Sequence, residues 1–240
     1  MEEFVSIDSQ RAYYDDRWAR ERWANRLQLA RAIAILDGLL RLQLSFPRIL
    51  DFGCGTGWLT VMLGRFGPTT GMDLSASAIE IAQTRHLDVH FVAADCTTLQ
   101  PDNEQFDVVV SQEVIEHIED QARHVDLLAD FLRPGGYLLL TTPNAWNLAH
   151  WTHESLQAWG LQPIEQWLTT RRLRSLLDRR FRVLEMRTIL PGHGTEGLFR
   201  LVNSRKLSKT LEALGLLTLY ERALTYAGFG LHIFVVAQRR

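Results

Sequence analysis

Arg48-Ile-Leu-Asp-Phe-Gly-Cys-Gly-Thr-Gly57 is a short apolar run that breaks into alternating glycines, and residues 58–66 then take up a helical pattern. This reads as a buried strand, a tight turn and a helix. Small residues at such a turn let backbone amides approach a ligand closely, which implies a nucleotide-like ligand. The glycines are spaced Gly-x-Gly-x-Gly. The third glycine of the dinucleotide fingerprint Gly-x-Gly-x-x-Gly is thus displaced by one position, which argues against NAD or FAD.

Outward from this turn the same alternation repeats. Strands are predicted at 69–73, 89–93, 106–110, 137–141, 181–189 and 231–238, and helices at 75–85, 111–132, 169–177 and 206–226. Upstream, 15–44 reads as one helix that Pro47 ends. Strands separated by helical patterns indicate βαβ units, hence an α/β fold with a mostly parallel, doubly wound, Rossmann-like sheet. A single domain is expected, with an N-terminal helical arm at 1–44, a core at 45–190, a helical insertion or lid at 191–230 and a final strand at 231–240.

With 240 residues, 46% hydrophobic and 22% charged, the composition is that of an ordinary globular chain rather than a disordered or membrane one. The net charge of -2 supplies no global field for nucleic acid or an anionic membrane. The acidic N-terminus has no apolar signal core, and no run reaches bilayer length, so a cytoplasmic protein without a membrane span is the default. Cys54 and Cys96 fit no zinc or CxxC spacing and are expected to stay reduced.

Asp73 and Asp95 end successive strands, at the edge where open α/β sheets bind ligands. A carboxylate there can accept hydrogen bonds from both hydroxyls of a ribose. Acidic strand ends suit a cationic, hydroxyl-rich ligand and repel a diphosphate.

The successive stretches Ile49-Leu-Asp-Phe-Gly-Cys-Gly-Thr-Gly57, Gly71-Met-Asp-Leu-Ser75, Ala94-Asp95-Cys96, Phe106-Asp-Val-Val-Val110 and Leu132-Arg-Pro-Gly-Gly136 resemble, in order, the motifs of class I S-adenosylmethionine-dependent methyltransferases. The resemblance implies a seven-stranded sheet whose last strand is antiparallel, with S-adenosylmethionine as cofactor and S-adenosylhomocysteine as product. It implies that Asp51 and the backbone of Gly53, Cys54, Gly55, Thr56 and Gly57 surround the methionine part of the cofactor. Asp73, with Leu74 beside it, would hold the ribose, Asp95 the adenine amino group, and Cys96 would line the adenine pocket. Gln112 and Glu113 would edge the transferring methyl.

Such a donor carries its own reactivity, so the protein mainly aligns the reactants and handles a proton. Glu113-Val-Ile-Glu116-His117 is predicted at the start of a helix, where spacings of three and four put both carboxylates and the imidazole on one face. Such a cluster suits a divalent metal or a carboxylate-oriented general base. Glu113, Glu116 and His117 are the catalytic candidates, and a helix-capping role is the simpler alternative to a metal, which is not expected. Residues 112–118 resemble the corresponding segment of ubiquinone-biosynthesis O-methyltransferases, and small-RNA 2′-O-methyltransferases share Glu-x-x-Glu-His as metal ligands, completed by a later histidine; here His150 or His153 is available for that place.

Aromatic residues gather at Trp146, Trp151, Trp159 and Trp167 and at Tyr13, Tyr14 and Trp18. Tyr14, Trp18, Trp146, His150 and Trp151 are candidate contacts to a planar or apolar acceptor. The arginines at 171, 172, 174, 179 and 180 read as a solvated helix face. The expected activity is O-methylation of a small molecule, as in secondary-metabolite or quinone-type biosynthesis. The alternatives are a metal-assisted RNA 2′-O-methyltransferase and a non-catalytic S-adenosylmethionine-binding partner protein.

Overall fold

Along the central strands successive apolar side chains go to opposite faces of one sheet, and both faces are buried. Val109, Leu138, Leu140, Ile233 and Val235 join one core layer, whereas Val108, Val110, Leu139, Phe234 and Val236 join the other. A strand covered on both sides needs no polar alternation, which is why these segments read as continuous apolar runs.

The computed structural model describes residues 6–20, 24–95, 105–159 and 162–240. Its strands are β1 (Ile49–Phe52), β2 (Thr69–Asp73), β3 (His90–Ala93), β4 (Phe106–Gln112), β5 (Leu132–Pro143), β6 (Phe181–Ile189) and β7 (His232–Arg239). They form one seven-stranded sheet in the order β3-β2-β1-β4-β5-β7-β6. The pairs from β3 to β5 are parallel, and β7 runs antiparallel to both β5 and β6. The doubly wound sheet with an antiparallel last strand is therefore the observed fold.

Helices α1 (Ile7–Arg20), α2 (Arg26–Arg41), α3 (Trp58–Leu63), α4 (Ala76–Arg85), α5 (Gln121–Phe131), α6 (Ala145–Leu148), α7 (His153–Trp159) and α8 (Thr170–Leu177) precede β6; α9 (Gly197–Val202), α10 (Arg205–Ala213) and α11 (Leu217–Tyr226) lie between β6 and β7. The apolar stripe of α2, through Ile35 and Leu39, packs with Leu59 and Leu63 of α3 on one face of the sheet. Val125 and Leu128 of α5 and Leu173 and Leu177 of α8 cover the other.

Three predicted helices differ from the observed ones. The expected helix at 15–44 is two, because Asn25 starts α2 with a capping box in which its side chain accepts the Gln28 N–H while Gln28 caps Asn25 in return. The insertion at 206–226 is likewise two helices, broken at Gly215, whose φ of +69° is left-handed. The expected helix at 111–132 starts only at Gln121, where Asp120 caps it by accepting the Arg123 N–H. Before that, β4 stays paired through Gln112↔Thr141, Glu113 turns left-handed at φ +58°, and a 3₁₀ turn covers Ile115–His117.

Candidate active site

Parallel strands β1 and β2 deliver the glycine turn and Asp73 to the same sheet edge. Gly53 and Gly55 are left-handed at φ +78° and +52°. A Cβ on Gly55 would lie 2.7 Å from the Trp18 ring, and one on Gly53 would lie 2.3 Å from Val114. Only glycine lets α1 and the segment after β4 come this close to the turn. Asp73 accepts the N–H groups of Gly55 (2.7 Å) and Ser75 (2.9 Å). Burial lifts its pKa above the usual carboxylate range, against the lowering effect of those donors. Asp51 is buried on β1, takes a hydrogen bond from Thr60 Oγ1 at 2.7 Å, and is raised to about 7 by burial.

After the left-handed turn at Glu113 its carboxylate is engaged from α2 and β7. Glu113 Oε2 lies 3.6 Å from Arg31 Nη1 on α2 and 2.9 Å from His232 Nδ1 on β7. The three residues therefore do not share a helix face as the sequence predicted. Among the described residues no group of three or more His, Cys, Asp or Glu side chains is placed to hold a metal ion.

Glu116 and His117 sit side by side on the 3₁₀ turn, both buried. The Glu116 pKa is pushed well up, first by burial and then by the charge of Glu113. Thr142 Oγ1 donates to its Oε2 at 2.9 Å. His117 Nδ1 lies 2.8 Å from the Ile164 carbonyl, which can only accept, so Nδ1 carries the hydrogen. Burial lowers the His117 pKa, leaving the ring neutral with Nε2 as its basic nitrogen. Gln162 Nε2 donates to that atom at 2.9 Å, and Glu116 Oε1 is 3.6 Å from it.

These groups open onto one cavity of about 530 Å³. It brings together Tyr14, Trp18, Asp51, Gly53, Cys54, Asp73, Leu74, Gln112, Glu113, Glu116 and His117. Tyr14 stands edge-on to the His117 ring, centroids 6.3 Å apart. Gly55, Thr56, Gly57 and Asp95 are not among the lining residues, and Cys96 lies outside the described residues. Nor are Trp146, His150 and Trp151. Trp146 and His150 pack with Phe199 of α9, and Trp151 stacks on His193, beneath the insertion. The cavity is covered by α1, which supplies Ile7, Gln10, Tyr14, Arg17 and Trp18.

Sequence reasoning missed Arg31, Gln162, Glu165, His124 and His232. The partners Arg31 and His232 lie 201 residues apart, beyond any local spacing rule. Only their polarity within apolar segments marks them.

Residues 16–216 match the model of a family described as a methyltransferase domain. The chain belongs to this methyltransferase family. The ubiquinone biosynthesis O-methyltransferase of Coxiella burnetii is 32% identical to it over 109 residues, 43% of this chain and 47% of that protein. The protein of the same name from Brucella ovis is 34% identical over 119 residues, covering 48% and 44%. The methyltransferase thus spans about half the length of the curated relatives it matches. Among solved structures, the N-methyltransferase NodS of Bradyrhizobium japonicum in complex with S-adenosylhomocysteine superposes with a TM-score of 0.61 at 18% identity, covering 96% of this chain and 98% of that one. A putative methyltransferase of Haloferax volcanii in complex with the Trm112 activator gives 0.65 at 18%, covering 97% of each chain. At these identities the structural likeness speaks for the fold alone.

The family match shows a methyltransferase, and the sheet is the class I fold expected from the motifs, whose expected cofactor is S-adenosylmethionine. The cavity fits that molecule in kind. Its lining is acidic at the strand ends and apolar between them, and it carries buried polar atoms with no partner among the described residues, including Gln112 Oε1 and Trp18 Nε1. Among the described residues no helix of this methyltransferase is long and apolar enough to cross a membrane.

Proposed function

We propose that this methyltransferase methylates a hydroxyl oxygen of a small-molecule acceptor, with His117 as the general base. The observation that carries this reading is the His117 tautomer. With Nδ1–H committed to the Ile164 carbonyl, the lone pair is on Nε2, in a residue that lines the cavity. A base held neutral by burial is ready at neutral pH without first shedding a proton.

S-adenosylmethionine, when bound, supplies an electrophilic methyl group whose bonding electrons return to sulfur. Asp73 would take the ribose hydroxyls through the lone pairs not used by Gly55 and Ser75, with Leu74 beside it. Asp51 and the backbone of Gly53 and Cys54, which line the cavity, would face the methionine part, and Asp95 would serve the adenine. Gln112 and Glu113 border the reacting centre. The acceptor oxygen forms the new bond to carbon while His117 Nε2 takes its proton. Gln162 yields its hydrogen bond on Nε2 to the acceptor hydroxyl, the Ile164 carbonyl holds the imidazole through Nδ1–H, and Glu116 adjoins the nitrogen that gains the charge.

Tyr14, Trp18, Leu27, Trp58 and Pro143 give the cavity aromatic and apolar walls, which supports a planar acceptor such as a phenol. The relatives' naming as O-methyltransferases of ubiquinone biosynthesis supports the same class. The test is S-adenosylhomocysteine release across phenol, amine and RNA acceptors, in the wild type and in His117→Ala. Turnover of phenols that is lost in the variant, with S-adenosylhomocysteine affinity intact, is the expected result. Full turnover by His117→Ala would refute the assignment of the base.

A further inference from the structure

One buried polar side chain on the cavity wall has no part in the chemistry above. His124 on α5 is 2% exposed, and among the described residues neither of its ring nitrogens has a hydrogen-bond partner. Its ring stands edge-on to Phe52, centroids 5.2 Å apart at 69°. Phe52, Met72, Ala94 and Leu127 give the lining apolar surface, and Asp120 and Arg123, close to His124 in the chain, add charged groups. The other buried positions of α5 are Val125, Leu128, Ala129 and Phe131. A phenylalanine or leucine would satisfy this helix face equally well, whereas a buried imidazole with both nitrogens bare is costly. Such a group is expected where a ligand supplies its partner. Burial lowers the ring's pKa to about 4, so at neutral pH it is uncharged, with one N–H donor and one bare acceptor.

We propose that His124 hydrogen-bonds the purine ring of the bound cofactor. The proposal rests on the reading that Asp73 holds the ribose. The base attached to that ribose then lies onward from β2 toward β3, where Met72 and Ala94 line the same cavity as His124. A purine is a flat, largely apolar surface edged with ring nitrogens that accept hydrogen bonds. A buried neutral donor whose ring stands against Phe52 matches it, and His124 itself carries no charge to draw a phosphate or carboxylate.

The test is calorimetric titration with S-adenosylhomocysteine and with its analogues in which purine N1, N3 or N7 is replaced by C–H. Against the wild type, His124→Phe should bind S-adenosylhomocysteine about tenfold more weakly while its ligand-free form melts at a higher temperature. One of the three analogues should lose about tenfold on the wild type, yet bind His124→Phe no worse than S-adenosylhomocysteine does. Independently of any variant, the ¹⁵N signals of the His124 ring should settle into one tautomer as wild-type protein is saturated. Unchanged affinity in His124→Phe, full discrimination among analogues in that variant, or unmoved His124 signals at saturation would each overturn this proposal alone. A wild type that binds no S-adenosylhomocysteine would overturn the proposed function along with it.

Discussion

The carboxylate of Glu113 lies 2.9 Å from Nδ1 of His232. Arg31 Nη1 lies 3.3 Å from the opposite ring nitrogen, Nε2. Arginine only donates, so Nε2 accepts and the imidazole hydrogen sits on Nδ1, where it donates to Glu113. Burial keeps His232 neutral, and Arg31 supplies the charge that balances the carboxylate. This buried set ties α2 to the ends of β4 and β7 at the cavity wall.

Glu113→Gln should therefore lower stability by about 3 kcal/mol, because Arg31 is left buried without its counter-ion. Urea denaturation measures this, and adding Arg31→Met should recover part of the loss. Burial alone would raise the Glu113 pKa, but Arg31 and His232 outweigh it and lower the value from 4.5 to about 2. For a carboxylate with a depressed folded pKa, the stabilisation is complete above the unfolded value and is lost as pH falls. The wild type should lose it between pH 4.5 and 2, and Glu113→Gln should show no such limb.

His117→Ala should reduce kcat by roughly 100- to 10,000-fold while the S-adenosylhomocysteine Kd stays at the wild-type value. The lowered His117 pKa places the acid limb of kcat/KM below pH 6.5, with a plateau above it. Steady-state rates across pH check both statements. An acid limb above pH 6.5 would mean that another group is the base.

Asp15 on α1 accepts hydrogen bonds from the hydroxyls of Ser75 and Ser77, the latter at 2.8 Å, at the start of α4. Because α1 carries Tyr14 and Trp18 over the cavity, Asp15→Ala should loosen its cover. Amide exchange over residues 7–20 should speed up, and S-adenosylhomocysteine should dissociate about fivefold faster, as suits the loss of charge-assisted hydrogen bonds. Unchanged exchange and dissociation would show that apolar contacts alone hold α1.

His124 contributes a separate acid sensitivity. Its pKa falls from 6.5 in the unfolded chain to about 4 in the fold, so the unfolded state binds the proton first as pH drops. Its neutral burial is fully tolerated above pH 6.5 and destabilises progressively down to pH 4, by about 3 kcal/mol in total. Melting temperatures of wild type and His124→Phe should diverge across that window and run parallel above it.

The sheet and the glycine turn were legible because parallel strands buried on both faces appear as apolar runs with punctuation at their ends. Asp73 was legible for the same reason, since it closes such a run. The segment after β4 was misread because Val114, Ile115 and Ile118 fit a helical period, whereas the backbone is set by strand pairing at Gln112 and the left-handed Glu113. The break before α2 did carry a signal, the Asn25-x-x-Gln28 capping box, masked by continuous apolar spacing around it. Trp146 and His150 were grouped with the pocket on position alone, while ring packing on Phe199 draws them beneath the insertion.

The most direct test uses S-adenosylmethionine carrying a ¹³C-labelled methyl group, incubated with the protein and a panel of phenols and amines, and follows the label by NMR. The account predicts a new methoxy carbon on a phenolic product, formed by the wild type and not by His117→Ala. Label appearing on nitrogen, or equal methoxy formation by the variant, would contradict it.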